Sequence, residues 1–68
     1  MSDRIYKLTE LVGTSKVSFA DATAKAVERA AETLRNLDWF EVTEMRGAVS
    51  NGKVSQYQVK LKVGFRLE

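Results

Sequence analysis

The fold is decided by the stretch VSQYQVKLKVGFRL, residues 54–67. From Tyr57 onward, apolar side chains occupy every second position, and polar side chains or glycine occupy the positions between them. This alternation is typical of a β-strand with one buried face and one different face. Asn51-Gly52 separates the stretch from a second strand-like segment, residues 39–49. Asn-Gly between two such segments predicts a hairpin, because a type I′ turn needs positive φ at both central residues.

Two further elements precede the hairpin. Residues 4–12 are predicted as a strand, which the Gly-Thr-Ser sequence of residues 13–15 would end as a turn. Ser18 and Asp21 then resemble a capping box, and apolar residues recur at helical spacing over residues 19–37. The predicted order is therefore β-α-β-β, an α+β fold with one amphipathic helix.

The chain has 68 residues, which predicts one small domain, residues 1–68. A domain of about this size buries only about 60% of the surface of its unfolded chain, so it usually needs a disulfide, a metal or oligomerisation. The sequence contains no Cys and no His, so disulfides are excluded and the commonest zinc ligand and general base are missing. Oligomerisation is the stabilising device that remains, and no metal site is expected.

The charges are balanced and dispersed. Eleven Lys and Arg against nine Asp and Glu give a net charge of +2, which is too small to argue for nucleic acid or an anionic membrane as partner. The N-terminal residues lack the apolar stretch of a secretory signal, and no apolar run approaches the length of a spanning helix. We therefore expect a cytoplasmic protein with no membrane partner.

A two-residue Asn-Gly loop fixes which hairpin residues lie opposite each other. With a regular ladder, Trp39 faces Gly64 and Met45 faces Gln58. Directly opposed residues share a face of the sheet, so the only tryptophan, Gln58 and Arg66 are expected on the side away from the helix. An exposed aromatic side chain among polar residues is typical of an interface.

The same register places Glu44 and Arg46 on the helix side, where charged groups are unfavourable. A β-bulge near Gly47 would shift this part of the strand and return both side chains to the other face.

No catalytic arrangement is present in the sequence. Serines occur without a histidine to activate them, and no glycine-rich phosphate loop is found. We therefore expect a binding protein and not an enzyme. One alternative is a small oligomeric module for single-stranded nucleic acid, in which Trp39, Lys60, Lys62 and Arg66 form a stacking platform. A module for protein interaction is the other alternative that the residues leave open.

Several blocks of the chain are together similar to the dodecins, small flavin-binding proteins, and specifically to their bacterial branch. The blocks are LVGTS at residues 11–15, LDWFEV at 37–42, RG at 46–47, YQV at 57–59 and VGFRL at 63–67. The resemblance implies a three-stranded antiparallel sheet wrapped around the helix, and twelve subunits in a hollow homo-dodecamer. It also implies flavin storage and photoprotection without catalysis.

The resemblance further implies a ligand site. The ligand would be FMN or riboflavin, with the flavin ring stacked on Trp39 and hydrogen-bonded by Gln58. Arg46 and Arg66 match the arginines that assist the phosphate in this family.

Some bacterial dodecins also hold coenzyme A at a different junction of subunits. For this second ligand the matching candidates are Tyr6, Arg29 and Thr33.

Overall fold

The predicted β-α-β-β fold is confirmed in the computed structural model, which describes residues 3–68. The elements are β1 (Tyr6–Ser15), α1 (Phe19–Ala31), β2 (Leu37–Ser50) and β3 (Lys53–Arg66). The three strands form one antiparallel sheet in the order β1-β3-β2, so the strand with the strictest alternation lies in the centre. Within the described residues, no helix is long and apolar enough to cross a membrane.

The core lies between β3 and the alanine face of α1. Among the described residues, six apolar ones are at most 8% exposed: Ala22, Ala26, Ala30, Val59, Leu61 and Val63. The small alanines allow the helix to lie close to the sheet. At Gly13, a Cβ atom would collide with the carbonyl oxygen of Ala22, so this position in β1 requires glycine for the close approach.

The first strand is longer than predicted at its C-terminal end. The prediction of a turn at residues 13–15 is wrong, because Gly13 pairs with Val59 and Ser15 pairs with Tyr57 in the ladder. Ser15 is only 5% exposed, and its hydroxyl accepts hydrogen bonds from the backbone N–H groups of Val17 (2.8 Å) and Ser18 (3.3 Å). The chain therefore reverses after Ser15.

Of the two hydrogen bonds of the predicted capping box at the N-terminus of α1, the one accepted by Ser18 is present. The Ser18 hydroxyl accepts a hydrogen bond from the backbone N–H of Asp21 at 3.0 Å. The Asp21 carboxylate accepts a hydrogen bond from the Ser15 hydroxyl at 2.6 Å and forms an ion pair with Lys25 at 3.0 Å. These two contacts lower the pKa of Asp21, the Ser15 hydrogen bond most strongly. Asp21 thus ties the helix to the end of β1.

The helix is shorter than the predicted range of residues 19–37. It ends at Ala31, and Asn36 adopts a φ of 64°, a left-handed conformation that a continuing helix does not contain. This reversal brings Leu37 into β2 opposite Phe65 of β3. The demands of sheet pairing therefore override the helical spacing of the last six residues.

The hairpin turn follows the prediction. Asn51 and Gly52 have φ values of 53° and 75°, and Ser50 lies opposite Lys53. The hairpin extends beyond the end of β1, because β1 pairs with β3 only as far as Tyr57.

The ladder between β2 and β3 is irregular within the hairpin. Register shifts lie between Ala48 and Val49 and between Val42 and Glu44, and a third lies between Leu37 and Trp39 at the start of β2. The first shift agrees with the bulge predicted near Gly47. The second restores the simple register farther from the turn.

The first two of these shifts decide which predicted pairs form. Trp39 faces Gly64 as predicted. Met45 faces Val59 and not Gln58, so the prediction that Met45 lies on the side away from the helix is wrong. The register shift turns Glu44 and Arg46 to the side of the sheet away from the helix, and it turns Met45 to the helix side.

Candidate functional site

The sheet surface away from α1 carries the candidate site residues, and we call it the open face. It consists of alternate residues of the three strands: Tyr6, Leu8, Glu10, Val12, Thr14, Gln56, Gln58, Lys60, Lys62, Gly64, Arg66, Trp39, Glu41, Glu44 and Arg46. The assignment follows from the burial of Val59, Leu61 and Val63 against the helix, since successive residues of a strand point to opposite faces.

One end of the open face is built around the tryptophan. The indole of Trp39 lies directly over Gly64, because a Cβ atom at Gly64 would collide with three indole atoms. Tyr6 packs beside it, with ring centroids 4.8 Å apart and an angle of 58° between the ring planes. Trp39 nevertheless stays 43% exposed. Its indole is thus supported by protein and still accessible to a ligand.

Arg66 lies at the same end, because it pairs with Tyr6 across the β1–β3 ladder. We call Tyr6, Trp39, Gly64 and Arg66 the tryptophan end of the open face. Sequence analysis missed the contact between Tyr6 and Trp39, since it depends on β1 pairing beside the hairpin.

The other end of the open face is built around glutamines. Arg46 donates a hydrogen bond from Nε to Oε1 of Gln58 at 2.9 Å. Gln58 donates from Nε2 to Oε1 of Gln56 at 2.8 Å. We call Arg46, Gln56 and Gln58 the glutamine end. Gln56 was not a predicted site residue, although its position two residues before Gln58 places it on the same face.

The structure places Trp39 and Gln58 on one face but does not bring them together. Trp39 faces Gly64, which is six residues from Gln58 along β3. At about 3.3 Å per residue, this separation is about 20 Å. The alternation of apolar and polar residues predicts that Trp39 and Gln58 lie on the same face of the sheet, but it does not predict how close together they are.

Charged side chains occupy the open face between its two ends. Lys62 lies opposite both Glu10 and Glu41, and Lys60 lies opposite Glu44. The ammonium of Lys60 is also 3.8 Å from the carboxylate of Glu10. This middle section therefore carries positive and negative groups in alternation.

The three coenzyme A candidates are not gathered within one chain. Tyr6 packs against Trp39 on the open face. Arg29 lies in the last turn of α1, where it pairs with Glu32 at 3.7 Å, and Thr33 follows the helix. A coenzyme A site made by these residues stays a prediction. No group of three or more His, Cys, Asp or Glu side chains that could hold a metal ion occurs among residues 3–68.

Comparison with known proteins agrees with this architecture. The family model described as Dodecin matches residues 5–68. The chain belongs to the dodecin family. At the level of the family, this is a group of small flavin-binding proteins that assemble as dodecamers.

Individual dodecins are similar over nearly the whole chain. The Dodecin of Thermus thermophilus is 54% identical over 65 residues, which are 96% of this chain and 94% of the relative. The solved structure of dodecin from Streptomyces coelicolor has a TM-score of 0.94 and 54% identity, and the match covers 100% of this chain and 97% of that one. A more distant relative, Calcium dodecin of Mycobacterium tuberculosis, is 33% identical over 93% of this chain and 89% of its own length.

Proposed function

We propose that this dodecin binds FMN or riboflavin on Trp39 and stores the flavin in a homo-dodecamer without chemical turnover. The observation that carries the proposal is the accessible indole of Trp39, held over Gly64 and beside Tyr6. Membership of the dodecin family supplies the ligand class. We take residues 1–68 as a single flavin-binding domain.

Trp39 has the properties that a flavin ring requires of a stacking partner. An oxidised flavin offers a flat, electron-poor face, and the indole offers a flat, electron-rich one. The indole has one supported face over the backbone of Gly64, so its orientation is fixed before a ligand arrives. A fixed orientation favours binding because fewer side-chain conformations are lost.

Gln58 suits the polar edge of the flavin ring. Its amide group offers both a donor and an acceptor, which match adjacent N–H and C=O groups of the ring. Arg46 and Gln56 each use one hydrogen-bonding position of this amide. The second N–H and the second lone pair are left for the ligand, and the two neighbours hold the amide in one orientation.

Arg46 and Arg66 suit the phosphate of FMN, because a guanidinium offers planar paired donors to phosphate oxygens. Arg66 lies beside Tyr6 at the tryptophan end, and Arg46 lies at the glutamine end. Both arginines would strengthen FMN binding relative to riboflavin, which lacks the phosphate.

Storage and photoprotection follow from the stacking partner. A bound flavin supplies a light-absorbing, redox-active ring. Close stacking on Trp39 would allow the indole to donate an electron to the excited ring and to take it back, so that both groups would return to their ground states without emission. Ring stacking also leaves no room for a second substrate, and the chain has neither His nor Cys to act on one.

Several surface features support assembly into an oligomer. Phe40, Val42, Val49 and Val54 are large apolar residues of the hairpin, and each is exposed in the single chain. Phe40 and Val42 border an apolar groove of about 570 Å³ between α1 and β2. So much exposed apolar surface on a 68-residue chain is typical of subunit contacts.

The alternative of single-stranded nucleic acid has less support. Lys60 and Lys62 were to form its cationic platform, yet both lie opposite carboxylates of neighbouring strands. Their charges are therefore balanced locally, and among the described residues only Trp39 and Tyr6 supply aromatic rings on that face.

A titration tests the proposed function. Protein is added to riboflavin or to FMN, and flavin emission and oligomer mass are recorded. We expect saturable quenching by an assembly with the mass of twelve chains. A stable monomer, or saturable oxidation of a substrate over many turnovers, would contradict the proposal. Binding of single-stranded DNA with no effect of flavin would favour the alternative.

A further inference from the structure

Two aromatic side chains from the outer strands of the sheet meet above the central strand. Tyr6 belongs to β1 and pairs with Arg66, whereas Trp39 belongs to β2 and pairs with Gly64. Neighbouring strands lie about 4.7–4.9 Å apart, so the backbones of the two outer strands are about 10 Å apart. The ring centroids of Tyr6 and Trp39 are nevertheless only 4.8 Å apart. The two rings therefore lean toward each other and bridge β3.

We propose that Tyr6 is the positioning residue of the flavin site, because its ring holds the indole of Trp39 in the orientation on which a flavin stacks. Tyr6 acts through Trp39 and does not itself need to touch the flavin. By holding the indole, it sets how completely the bound flavin is quenched. This inference rests on the proposed function and adds the residue that controls the alignment of the two stacked rings.

The glycine under the indole cannot do this alone. Gly64 supports one face of the indole, but it has no side chain to limit movement of the indole along the sheet. A tryptophan side chain can turn about two torsions, and both would have to be restricted. The ring of Tyr6 fills the side toward β1, and its plane is tilted by 58° from the plane of the indole. Movement of the indole toward β1 would bring it into this ring.

The contact between the two rings is also attractive. Aromatic rings prefer tilted or offset arrangements with centroids about 4.5–7 Å apart, because the positive edge of one ring then approaches the negative face of the other. The separation of 4.8 Å and the angle of 58° fit this arrangement. One such contact favours the held orientation of the indole over free orientations by about two- to tenfold.

The backbone beside Tyr6 is anchored at the end of the central strand. The N–H of Leu67 donates a hydrogen bond to the carbonyl of Ile5 at 2.9 Å, next to the pair of Tyr6 and Arg66. The N–H of Arg66 donates to the carbonyl of Asn36 at 3.1 Å, just before β2 begins. Both outer strands are thus tied to the same end of β3. Tyr6 is therefore a fixed support for the indole.

The alignment of the indole affects quenching more than binding. Electron transfer between two stacked rings slows steeply when the rings separate or lose their overlap, whereas the area of contact changes little with a small displacement. If the indole could swing, part of the bound flavin would stack in poor alignment and would keep some emission. Loss of Tyr6 should therefore raise the emission of bound flavin before it abolishes binding.

Truncation of the Tyr6 side chain tests the proposal. Tyr6→Ala removes the ring, whereas Tyr6→Phe keeps the ring and removes only the hydroxyl. Val12→Ala is the matched control, because Val12 lies on the same face of β1 and pairs with Lys60, away from Trp39. Val12 is 48% exposed and Tyr6 is 37% exposed, so both truncations remove a partly exposed side chain. The oligomer mass of each variant is verified by light scattering first.

The first measurement needs no flavin. The chain contains a single tryptophan, so the time-resolved anisotropy of tryptophan emission reports on Trp39 alone. We expect the amplitude of fast indole motion to grow by about two- to tenfold in Tyr6→Ala, as the loss of one aromatic contact allows. Tyr6→Phe and Val12→Ala should keep the parental decay. A parental decay in Tyr6→Ala, or the same change in Val12→Ala, overturns the proposal.

The second measurement records the emission of bound FMN at a concentration that saturates each variant. We expect the emission per bound flavin to rise by about two- to tenfold in Tyr6→Ala and to stay at the parental level in Tyr6→Phe. Parental quenching in Tyr6→Ala overturns the proposal. An equal rise in Tyr6→Phe also overturns it, because the hydroxyl and not the ring would then be responsible.

Failure of the proposed function is distinguished from failure of this inference. A parent protein that binds no flavin overturns the proposed function, and with it the role of Tyr6 in quenching. A parent protein that binds and quenches flavin, with a Tyr6→Ala variant that behaves identically, overturns only the role of Tyr6. If Tyr6→Ala chains do not assemble, Tyr6→Leu replaces them, because leucine keeps an apolar side chain in β1 without an aromatic ring.

Discussion

The indole of Trp39 occupies the space that a side chain at position 64 would need, so this arrangement accepts only glycine at that position. A Cβ atom there would meet Cδ2, Cε2 and Cζ2 of the indole. The tryptophan and the glycine are opposite each other in the ladder, and the pair positions an exposed aromatic ring on the surface of the sheet.

Gly64→Ala is therefore expected to displace the indole and to weaken flavin binding. Overpacking of this kind costs about 1–3 kcal/mol, or about five- to more than a hundredfold if all of it falls on the bound state. Trp39 emission in the flavin-free protein and FMN titration measure the two effects. Gly52→Asn is the matched control, since a Cβ at Gly52 meets nothing and Asn tolerates its φ of 75°. Unchanged Trp39 emission and FMN affinity in Gly64→Ala would contradict the prediction.

Trp39→Ala and Gln58→Ala should fail in different ways. Loss of the indole removes stacking worth about 1–3 kcal/mol, and any flavin that stays bound should regain emission because the electron donor is gone. Loss of the Gln58 amide leaves polar groups of the ring unpaired, at about 1–3 kcal/mol, and the bound flavin should stay dark.

Fluorescence titration of both variants distinguishes these effects, after assembly has been checked. A Trp39→Ala protein that binds flavin with parental affinity and still quenches it would show that the pocket is elsewhere.

Arg66→Ala should lower the affinity for FMN more than the affinity for riboflavin. In the proposed site the guanidinium would bind the phosphate, which riboflavin lacks. For a partly exposed arginine we expect a change in the affinity ratio of about two- to tenfold, and a smaller one at high salt. Lys7→Ala is a suitable control. Lys7 pairs with Phe65, and its side chain lies on the side of the sheet opposite to the open face. If Arg66→Ala lowered the affinities for FMN and for riboflavin by the same factor, Arg66 would not bind the phosphate.

Acid should destabilise the protein partly through Asp21. Its pKa is lowered below the ordinary value of 3.8, mainly by the hydrogen bond from Ser15 and then by Lys25. The folded state therefore holds its proton less tightly than the unfolded state does. The stabilisation is fully present above pH 3.8 and is lost as the pH falls toward the lower pKa of the folded protein.

Thermal unfolding of the parent and of Asp21→Asn between pH 7 and pH 3 measures this contribution. The variant should be less stable at pH 7, and the difference should shrink as the pH falls. Glu32→Gln, which alters an exposed partner of Arg29 at the other end of the helix, serves as control. A difference that stays constant down to pH 3 would exclude a role for the Asp21 charge.

Much of the fold could be predicted because the alternation in β3 and the Asn-Gly turn are local signals. They placed Val59, Leu61 and Val63 in the core and Trp39 opposite Gly64. The end of α1 could not be predicted in the same way. Its helical spacing continues to Leu37, and only the pairing of Leu37 with Phe65 shows that the chain must turn earlier.

The candidate site was predictable in its residue types and its face, but not in its extent. Alternation tells which side of the sheet Trp39 and Gln58 occupy. The contacts that hold them, from Tyr6 and from Arg46, depend on the β1–β3 ladder and on a shifted register. Such shifts reflect which side chains the finished sheet can bury, which is a property of three strands and a helix together.

Two irregularities within the hairpin give the segment around Arg46 a different register from the segment around Trp39. Ser55 is the extra residue on β3 and Thr43 the extra residue on β2, and between them the ladder runs out of step before it is restored. The extra residue on β3 shifts the register by one position, and the extra residue on β2 shifts it back. Because the register around Arg46 is set between these two extra residues, we expect substitutions there to leave the pairing of Trp39 with Gly64 unchanged.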